Sequence, residues 1–325
     1  MTMYSSSTLV FFIDWGEIFC ARIIIMRSYD NPSRLLFFGV LAGLLIAINL
    51  FAVSLVLKKR NSPKQSKNND YSVIAPYYEE KVFHRPGGLK NTNSSKLSKI
   101  KLPIIMYHYV EYVQDQADFI RKSLDINPEA FARQLTTLKY EGYQTYFVKD
   151  IPDILDGKIT VSSKSAVLTF DDGYEDFYTV AFPILKKNYI RATVFIVNDF
   201  IGRKGFLTKD QVKEIIDSDL VEIGAHTLDH AYLKNMSPTA AKRQIFESKR
   251  QLEESFGINV KTFAYPYGAF DEKTIDLVKE ASYSAAVSVI NGVIQSQENL
   301  FYLSRLRSGF FTPANIVAGF EHFNK

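Results

Sequence analysis

Two adjacent carboxylates and two spaced histidines are the side chains of this sequence that are best suited to chemistry. Asp171 and Asp172 directly follow an apolar run, and His226 and His230 lie four residues apart. Neighbouring carboxylates repel each other unless a cation or a shared proton relieves the repulsion. A carboxylate and two imidazoles can hold a divalent metal ion while leaving coordination positions open. Each motif alone is also typical of an ordinary turn or a helix surface, but the two together favour a metal site.

Metal-assisted hydrolysis is the chemistry that these groups predict. Asp172, His226 and His230 are the predicted ligands of a divalent ion, and we expect that ion to be Zn²⁺. A bound ion acidifies water and polarises a carbonyl group, and Asp171 beside the ligand is predicted to accept the proton of the water. His108 follows another apolar run and is a candidate donor for an amine leaving group, although it could also simply cap the core. Together these roles fit hydrolysis of an amide or an ester.

Strand-like and helix-like segments alternate along the part of the chain that carries these residues. The predicted strands are 103–107, 145–148, 165–170, 192–197, 221–225, 261–264 and 284–289. The predicted helices are 128–140, 175–187, 208–217, 237–256 and 271–281. This alternation predicts an α/β domain with parallel strands arranged as a barrel.

The candidate residues share one position relative to these predicted strands. His108, Asp171 and His226 each come just after the end of a predicted strand. A Tyr-Pro-Tyr-Gly run at 265–268 does so as well, although such a run met alone is usually a turn. Parallel barrels gather their chemistry at the carboxyl ends of the strands. We therefore expect all of these residues to lie in one site.

Four segments are predicted along the chain. Residues 1–34 form an N-terminal segment in which Met26 is a candidate for the true start. Residues 35–57 are predicted to be a transmembrane helix, and 58–100 a basic polar tether rich in Lys, Ser, Asn, Pro and Gly. Residues 101–325 are predicted to be the catalytic domain.

The predicted membrane anchor is an uninterrupted apolar run. Residues 35–57 carry no charge and are long enough to cross the ~30 Å hydrocarbon core of a bilayer. A cleaved signal peptide is the alternative, but Lys58 follows directly, where a cleavage site of small residues would be expected. Basic residues are slightly more numerous after the run than before it, which would weakly favour a cytoplasmic catalytic domain.

Composition excludes few classes of protein. The net charge is +4, but residues 58–100 alone carry ten Lys and Arg against three Asp and Glu. Because the basic excess is confined to the tether, it does not suggest a domain that binds nucleic acid. Cys20 is the only cysteine, so an intrachain disulfide and a zinc site built from cysteines are both excluded.

Four motifs resemble those of the polysaccharide deacetylase family, in the order of that family. They are 169–173 (Thr-Phe-Asp-Asp-Gly), 192–195 (Ala-Thr-Val-Phe), 226–230 (His-Thr-Leu-Asp-His) and 263–268 (Phe-Ala-Tyr-Pro-Tyr-Gly). The resemblance covers about 101–290 and implies a distorted (β/α) barrel that removes acetate from an N-acetylated sugar polymer. By position, it implies that Asp171 is the base and that Asp172, His226 and His230 bind the metal. The backbone N–H of Tyr267 would stabilise the oxyanion.

The sequence departs from many family members at two points. Residues 264–267 stand where an Arg-containing motif is common, and no Leu-x-His motif follows residue 290. Both departures resemble the branch that deacetylates poly-N-acetylglucosamine, whose acid histidine comes early, in a setting like Met-Tyr-His-Tyr at 106–109. On this resemblance His108 is the general acid. The role requires His108 to lie across the metal from Asp171, close enough for a substrate nitrogen to sit between them.

Two further roles complete the predicted site. The substrate-binding residues are predicted to be Tyr265, Pro266 and Tyr267. For the residue that orients the base, Arg305 is the first candidate and Arg191 the second.

The sequence is therefore read as a membrane-anchored, metal-dependent N-deacetylase of an N-acetylglucosamine-containing polysaccharide. Its catalytic domain is expected outside the cytoplasm, because the family's substrates are found there, and its expected partners are the polysaccharide and the lipid bilayer around 35–57. One alternative is a metal-dependent amidohydrolase of small molecules. Another is a carbohydrate-binding surface protein with an inactive site, although the complete set of candidate residues argues against it.

Overall fold

The computed structural model describes residues 99–115, 117–311 and 316–322. The predicted N-terminal segment 1–34, the predicted anchor 35–57 and all but the last two residues of the tether 58–100 lie outside these ranges. Among the described residues, no helix has the length and apolar character that a membrane span requires.

The strands of the described ranges are short and mostly buried. They are β1 Lys99–Lys101, β2 Ile104–Tyr107, β3 Tyr109–Val110, β4 Asp125–Ile126, β5 Gln144–Tyr146, β6 Ser165–Phe170, β7 Ala192–Ile196, β8 Val221–Ala225, β9 Thr262–Ala264, β10 Ala285–Asn291, β11 Ile294–Ser296 and β12 Leu303–Arg307.

The α-helices of the described ranges lie mainly between these strands. They are α1 Phe119–Leu124, α2 Pro128–Tyr140, α3 Ile151–Leu155, α4 Phe182–Asn188, α5 Lys209–Asp217, α6 Pro238–Phe256, α7 Glu272–Glu280 and α8 Ile316–His322. Single 3₁₀ turns at Val148–Asp150, Asn198–Phe200, Pro266–Gly268 and Ser308–Phe310, and a π turn at Phe177–Ala181, complete the helical structure.

Seven parallel strands close into a barrel. Their order is β2, β12, β10, β9, β8, β7 and β6, and the pairing of β6 with β2 completes the ring. On its other edge, β6 pairs first with β5 and then with β7, so β5 is an extra strand wedged beside the ring. The predicted parallel α/β barrel is therefore confirmed.

Local sequence signals explain where several helices begin and end. The Thr208 hydroxyl accepts a hydrogen bond from Gln211 N–H at the start of α5, and Ser237 accepts one from Ala240 N–H at the start of α6. Pro238 occupies the first turn of α6, where its missing N–H has no cost. Gly257 ends α6 with φ 68°, a left-handed conformation that glycine adopts without strain. These boundaries agree with the prediction.

Two predicted elements differ from the structure, and one strand of the barrel was not predicted. The predicted strand 145–148 is β5 Gln144–Tyr146, because the chain turns at Val148 into a 3₁₀ turn. The predicted helix 175–187 is a π turn followed by the shorter α4. Strand β12 was not predicted, because Arg305 interrupts its apolar pattern. It nevertheless lies between β10 and β2 and is needed to close the barrel.

A buried carboxylate joins three neighbouring strands. Glu222 of β8 accepts hydrogen bonds from the hydroxyls of Thr193 and Thr262, each at 2.8 Å, and from Lys149 N–H at 3.2 Å. Burial raises the pKa of Glu222, and the three donors partly offset that effect. These bonds fix β7, β8 and β9 relative to one another, so the strands that lead to His226 and Tyr267 have a rigid base.

Candidate active site

The two adjacent carboxylates leave the end of β6 in different directions. Asp171 N–H still bonds to the Tyr107 carbonyl oxygen at 3.0 Å, as a residue of a parallel strand would. Asp172 and Gly173 then have φ values of 73° and 72°. A positive φ is unusual for a residue other than glycine, and Asp is one of the few that tolerate it. The sharp turn lets neighbours in the sequence contact separate groups.

Asp172, His226 and His230 converge on one point. Asp172 Oδ1 lies 3.3 Å from His226 Nε2 and 3.1 Å from His230 Nε2. One donor atom from each residue falls within 4.8 Å of the others. Asp172 Oδ1 is buried and accepts no hydrogen bond from the part of the chain that the structure describes. A buried carboxylate oxygen without a donor, facing two imidazole nitrogens, fits the ligand set of a divalent cation.

Both histidines are held through the nitrogen that faces away from this point. His226 Nδ1 lies 2.7 Å from the carbonyl oxygen of Ala264, and His230 Nδ1 lies 3.0 Å from the hydroxyl of Tyr267. A proton on each Nδ1 satisfies these contacts and leaves each Nε2 free as a ligand. His230 has φ 65°, so the segment after β8 is a loop rather than a helix.

Charge couples the groups of this triad. Burial alone would raise the pKa of Asp172, but His226 and His230 outweigh it and hold the pKa well below its usual value. For His226 burial acts to lower the pKa, while the Asp172 and Asp171 carboxylates raise it overall. The site therefore favours an ionised carboxylate with positive charge beside it. A metal ion would replace that positive charge, because its binding displaces protons from imidazoles.

Arg305 forms a bidentate ion pair with Asp171. Nη1 donates to Asp171 Oδ1 and Nη2 donates to Oδ2, each at 2.8 Å. The arginine side chain is buried, and Nη1 also bonds to the Thr169 hydroxyl at 3.1 Å while Nε bonds to the Ser288 carbonyl oxygen at 2.7 Å. Burial acts to raise the pKa of Asp171, but Arg305 lowers it overall and keeps the carboxyl group ionised.

Arg305, the first candidate for the residue that orients the base, is thus in direct contact with Asp171. The second candidate, Arg191, precedes β7 and lies at the opposite end of the barrel, with its guanidinium over the Phe147 ring at 5.3 Å. Thr169 and Ser288 were given no role from the sequence. The only signal for Thr169 was its place in the motif at 169–173, and Ser288 acts through its backbone, which leaves no sequence signal.

His108 follows β2 and faces the same carboxylate. His108 Nε2 lies 3.9 Å from Asp171 Oδ2. Hydrogen bonds of about 2.9 Å to both groups leave no room for a substrate nitrogen on the line between them. In this geometry a substrate nitrogen would approach the two groups from one side rather than lie on the line between them. Burial lowers the pKa of His108 despite the opposing effect of Asp171 and Asp172, so its protonated form is a stronger acid than free imidazole.

The three predicted substrate-binding residues differ in exposure. Tyr265 is 1% exposed, and its hydroxyl donates to the Phe301 carbonyl oxygen at 2.9 Å. Pro266 is also buried. Both side chains therefore belong to the core, and a contact between them and substrate stays a prediction. Tyr267 has φ 59° and turns its ring outward, where it is 64% exposed. Its N–H lies in the first turn of a 3₁₀ segment, where such groups have no partner within the turn.

Removing Arg305 tests what the buried pair contributes. Arg305→Met should lower the free energy of unfolding by about 3–5 kcal/mol, because Asp171 is then left as an unpaired buried charge. Adding Asp171→Asn to this variant should recover much of the loss. Urea-induced unfolding measures both. Arg307→Met, on the same strand but exposed, is the matched control and should cost no more than about 0.5 kcal/mol. Equal losses for the two arginines would contradict a special role for Arg305.

The sequence of this chain is similar to those of known deacetylases. Residues 158–286 match the family model described as polysaccharide deacetylase. The chain is 31% identical over 207 residues to YxkH of Bacillus subtilis (strain 168), whose name places it among the polysaccharide deacetylases, and the match covers 64% of this chain and 71% of that protein. It is 30% identical over 156 residues to the poly-beta-1,6-N-acetyl-D-glucosamine N-deacetylase of Staphylococcus aureus (strain MSSA476), covering 44% of this chain and 54% of that enzyme.

Two solved structures share the fold. The Streptococcus pyogenes deacetylase PplD in complex with acetate has a TM-score of 0.63 at 30% identity, and the match covers 70% of this chain and 99% of that chain. IcaB from Ammonifex degensii has a TM-score of 0.60 at 24% identity, over 71% of this chain and 100% of that chain, a likeness that shows the fold alone. From its barrel, the match over 158–286 and its identity to YxkH, the chain belongs to the polysaccharide deacetylase family.

Proposed function

We propose that this protein is a metal-dependent hydrolase that removes N-acetyl groups from an N-acetylglucosamine-containing polysaccharide. The observation that carries the proposal is the convergence of Asp172, His226 and His230 beside an Asp171 held by Arg305. The Staphylococcus aureus relative named as a poly-beta-1,6-N-acetyl-D-glucosamine N-deacetylase supports the substrate class, although the chain spans only about half of that enzyme.

In this proposal, the triad would hold a divalent ion, expected to be zinc. Such an ion supplies a Lewis acid for an acyl oxygen and increases the acidity of water. Asp171 accepts the proton of the attacking water, and the bidentate contact with Arg305 aims its remaining lone pairs at that water. The backbone N–H of Tyr267 donates to the oxygen that becomes negative in the tetrahedral intermediate. His108 then protonates the amine as it leaves.

We also propose that the protein is anchored in the cell membrane by residues 35–57 with its catalytic domain outside the cytoplasm. The apolar run and the polysaccharide substrate class support this location. The distribution of basic residues around the run favours the opposite orientation only weakly.

Acetate release from a panel of acetylated glycans tests the proposed function. The protein should release acetate from N-acetylglucosamine oligomers, lose this activity with a chelator and regain it with zinc. His226→Ala should lose bound metal and activity, whereas Asp171→Asn should keep the metal and lose about 10²–10⁴-fold in turnover. His84→Ala, in the tether, serves as the histidine control and should behave as wild type.

Three results would argue against this assignment. Full metal content and activity in His226→Ala would contradict the ligand set. Loss of metal in Asp171→Asn would make Asp171 a ligand rather than the base. Acetate release from small acetamides but from no glycan would favour the small-molecule amidohydrolase.

The acid role of His108 can be tested with two leaving groups. His108→Ala should slow acetamide hydrolysis by about 10²–10⁴-fold, because an amine leaves poorly without a proton. It should slow an aryl acetate ester far less, because a phenolate leaves unprotonated. Asp171→Asn is the contrasting variant and should slow both substrates. If His108→Ala slows both equally, His108 is not the acid.

Protease treatment tests the proposed topology. Protease added to intact cells whose outer layers have been opened should cut within residues 58–100 and release the catalytic domain. A cytoplasmic protein monitored in the same cells should stay intact. Protection of both proteins would instead place the catalytic domain inside.

A further inference from the structure

Aromatic rings follow one another around the mouth of the barrel. Neighbouring ring centroids in this series, which we call the aromatic arc, lie 3.9 to 6.4 Å apart. In order along the arc, its members are Tyr109, Tyr174, Phe206, Phe200, His230, Tyr267 and Tyr232. Because His230 is a member, the arc passes directly beside the candidate metal site.

The rings of the arc differ in solvent exposure on the two sides of His230. Tyr109, at its far end, is 8% exposed and stacks on the Tyr174 ring. Tyr267 and Tyr232, at the near end, are 64% and 56% exposed. Their ring centroids lie 6.2 Å apart and their planes are inclined by only 35°. Two large rings are therefore presented to solvent side by side, next to the site.

Contacts with His230 hold Tyr267 in place, and they therefore place the exposed pair beside the candidate metal site. The Tyr267 hydroxyl contacts His230 Nδ1 at 3.0 Å, and the two ring centroids lie 4.5 Å apart. One aromatic ring thus separates Tyr232 from a candidate metal ligand. A ligand that covered both tyrosines would continue into the reaction site, so this surface is an extension of that site.

A pyranose ring suits such a surface. The faces of a sugar ring carry C–H groups that pack on an aromatic plane, while its hydroxyls remain free to bond to water or to a tyrosine hydroxyl. Exposing two neighbouring aromatic rings costs hydrophobic free energy that a bound sugar would recover. A single exposed tyrosine needs no explanation, but a pair joined to a reaction site does.

We propose that Tyr232, together with Tyr267, forms a stacking subsite for the sugar unit next to the one that is deacetylated. The enzyme would then recognise a stretch of polymer rather than a single acetylated sugar. This inference rests on the proposed function and extends it, because it predicts a preference for longer chains through a residue that has no part in the chemistry.

Substrate length separates this subsite from the reaction site. The substrates are N-acetylglucosamine pentamers with β-1,4 or β-1,6 linkages, and a nitrophenyl acetate that is too small to reach Tyr232. Tyr232→Ala should raise KM for the preferred pentamer by roughly 3- to 10-fold, the range expected for losing one aromatic contact. The kcat on the pentamer and both constants for the ester should not change.

Two variants serve as controls. Tyr232→Phe keeps the ring and should retain a KM close to that of wild type. Tyr189→Asn removes a tyrosine that is 70% exposed at the end of α4, at the opposite end of the barrel from the site. Because Asn tolerates the φ of 55° at this position, this variant should have wild-type kinetics.

The outcomes distinguish this inference from the proposed function. An unchanged pentamer KM in Tyr232→Ala would overturn the subsite while leaving the deacetylase assignment intact. An equal change for the ester and the pentamer would also overturn it, because the effect would then pass through Tyr267 and His230. Absence of acetate release by the wild type from every glycan would refute the proposed function and the subsite together.

Discussion

The buried pair between Arg305 and Asp171 is the interaction on which the catalytic end of this barrel depends. An ionised carboxylate can remain buried only if its charge is matched and its oxygens are bonded. The guanidinium supplies both conditions through two parallel hydrogen bonds of 2.8 Å. Its remaining donors reach Thr169 on β6 and the Ser288 carbonyl on β10. One side chain therefore links three strands of the ring and fixes the direction of the base.

This pair also shows why the barrel must close. Arg305 belongs to β12, which lies between β10 and β2, and Asp171 follows β6, which pairs with β2 on its other side. Without β12 the ring would be open at this place, and Asp171 would lack its counter-charge. The strand that closes the barrel, β12, is thus also the strand that supplies Arg305 to the candidate site. At the base of the opposite wall, Glu222 similarly joins the strands that carry His226 and lead to Tyr267.

Much of this architecture could be predicted from local signals, and the exceptions have physical causes. Caps such as Thr208 and Ser237 act within three residues, so the sequence reveals them. The placement of Asp171 and His226 followed from strand ends, which parallel sheets bring together. Strand β12 was not predicted, although Arg305 was a candidate partner of Asp171, because a charged residue breaks the apolar pattern of a buried strand and its counter-charge lies 134 residues earlier. Tyr265 is buried and Tyr267 is exposed although both follow the same strand, so residue type alone does not predict which of the two faces solvent.

The two adjacent aspartates acquire different roles through their partners. Both oxygens of Asp171 accept hydrogen bonds from a cation that is part of the fold, which leaves lone pairs to take a proton but little freedom to move. Asp172 has a buried oxygen that lacks a donor and faces two imidazoles that can release their protons. The guanidinium of Arg305 is thus the permanent counter-charge of Asp171, while Asp172 remains able to bind an exchangeable cation. The turn at Asp172, with φ 73°, makes this division possible within one site, because successive side chains of an extended strand point to opposite faces and one of the two carboxylates would then point away.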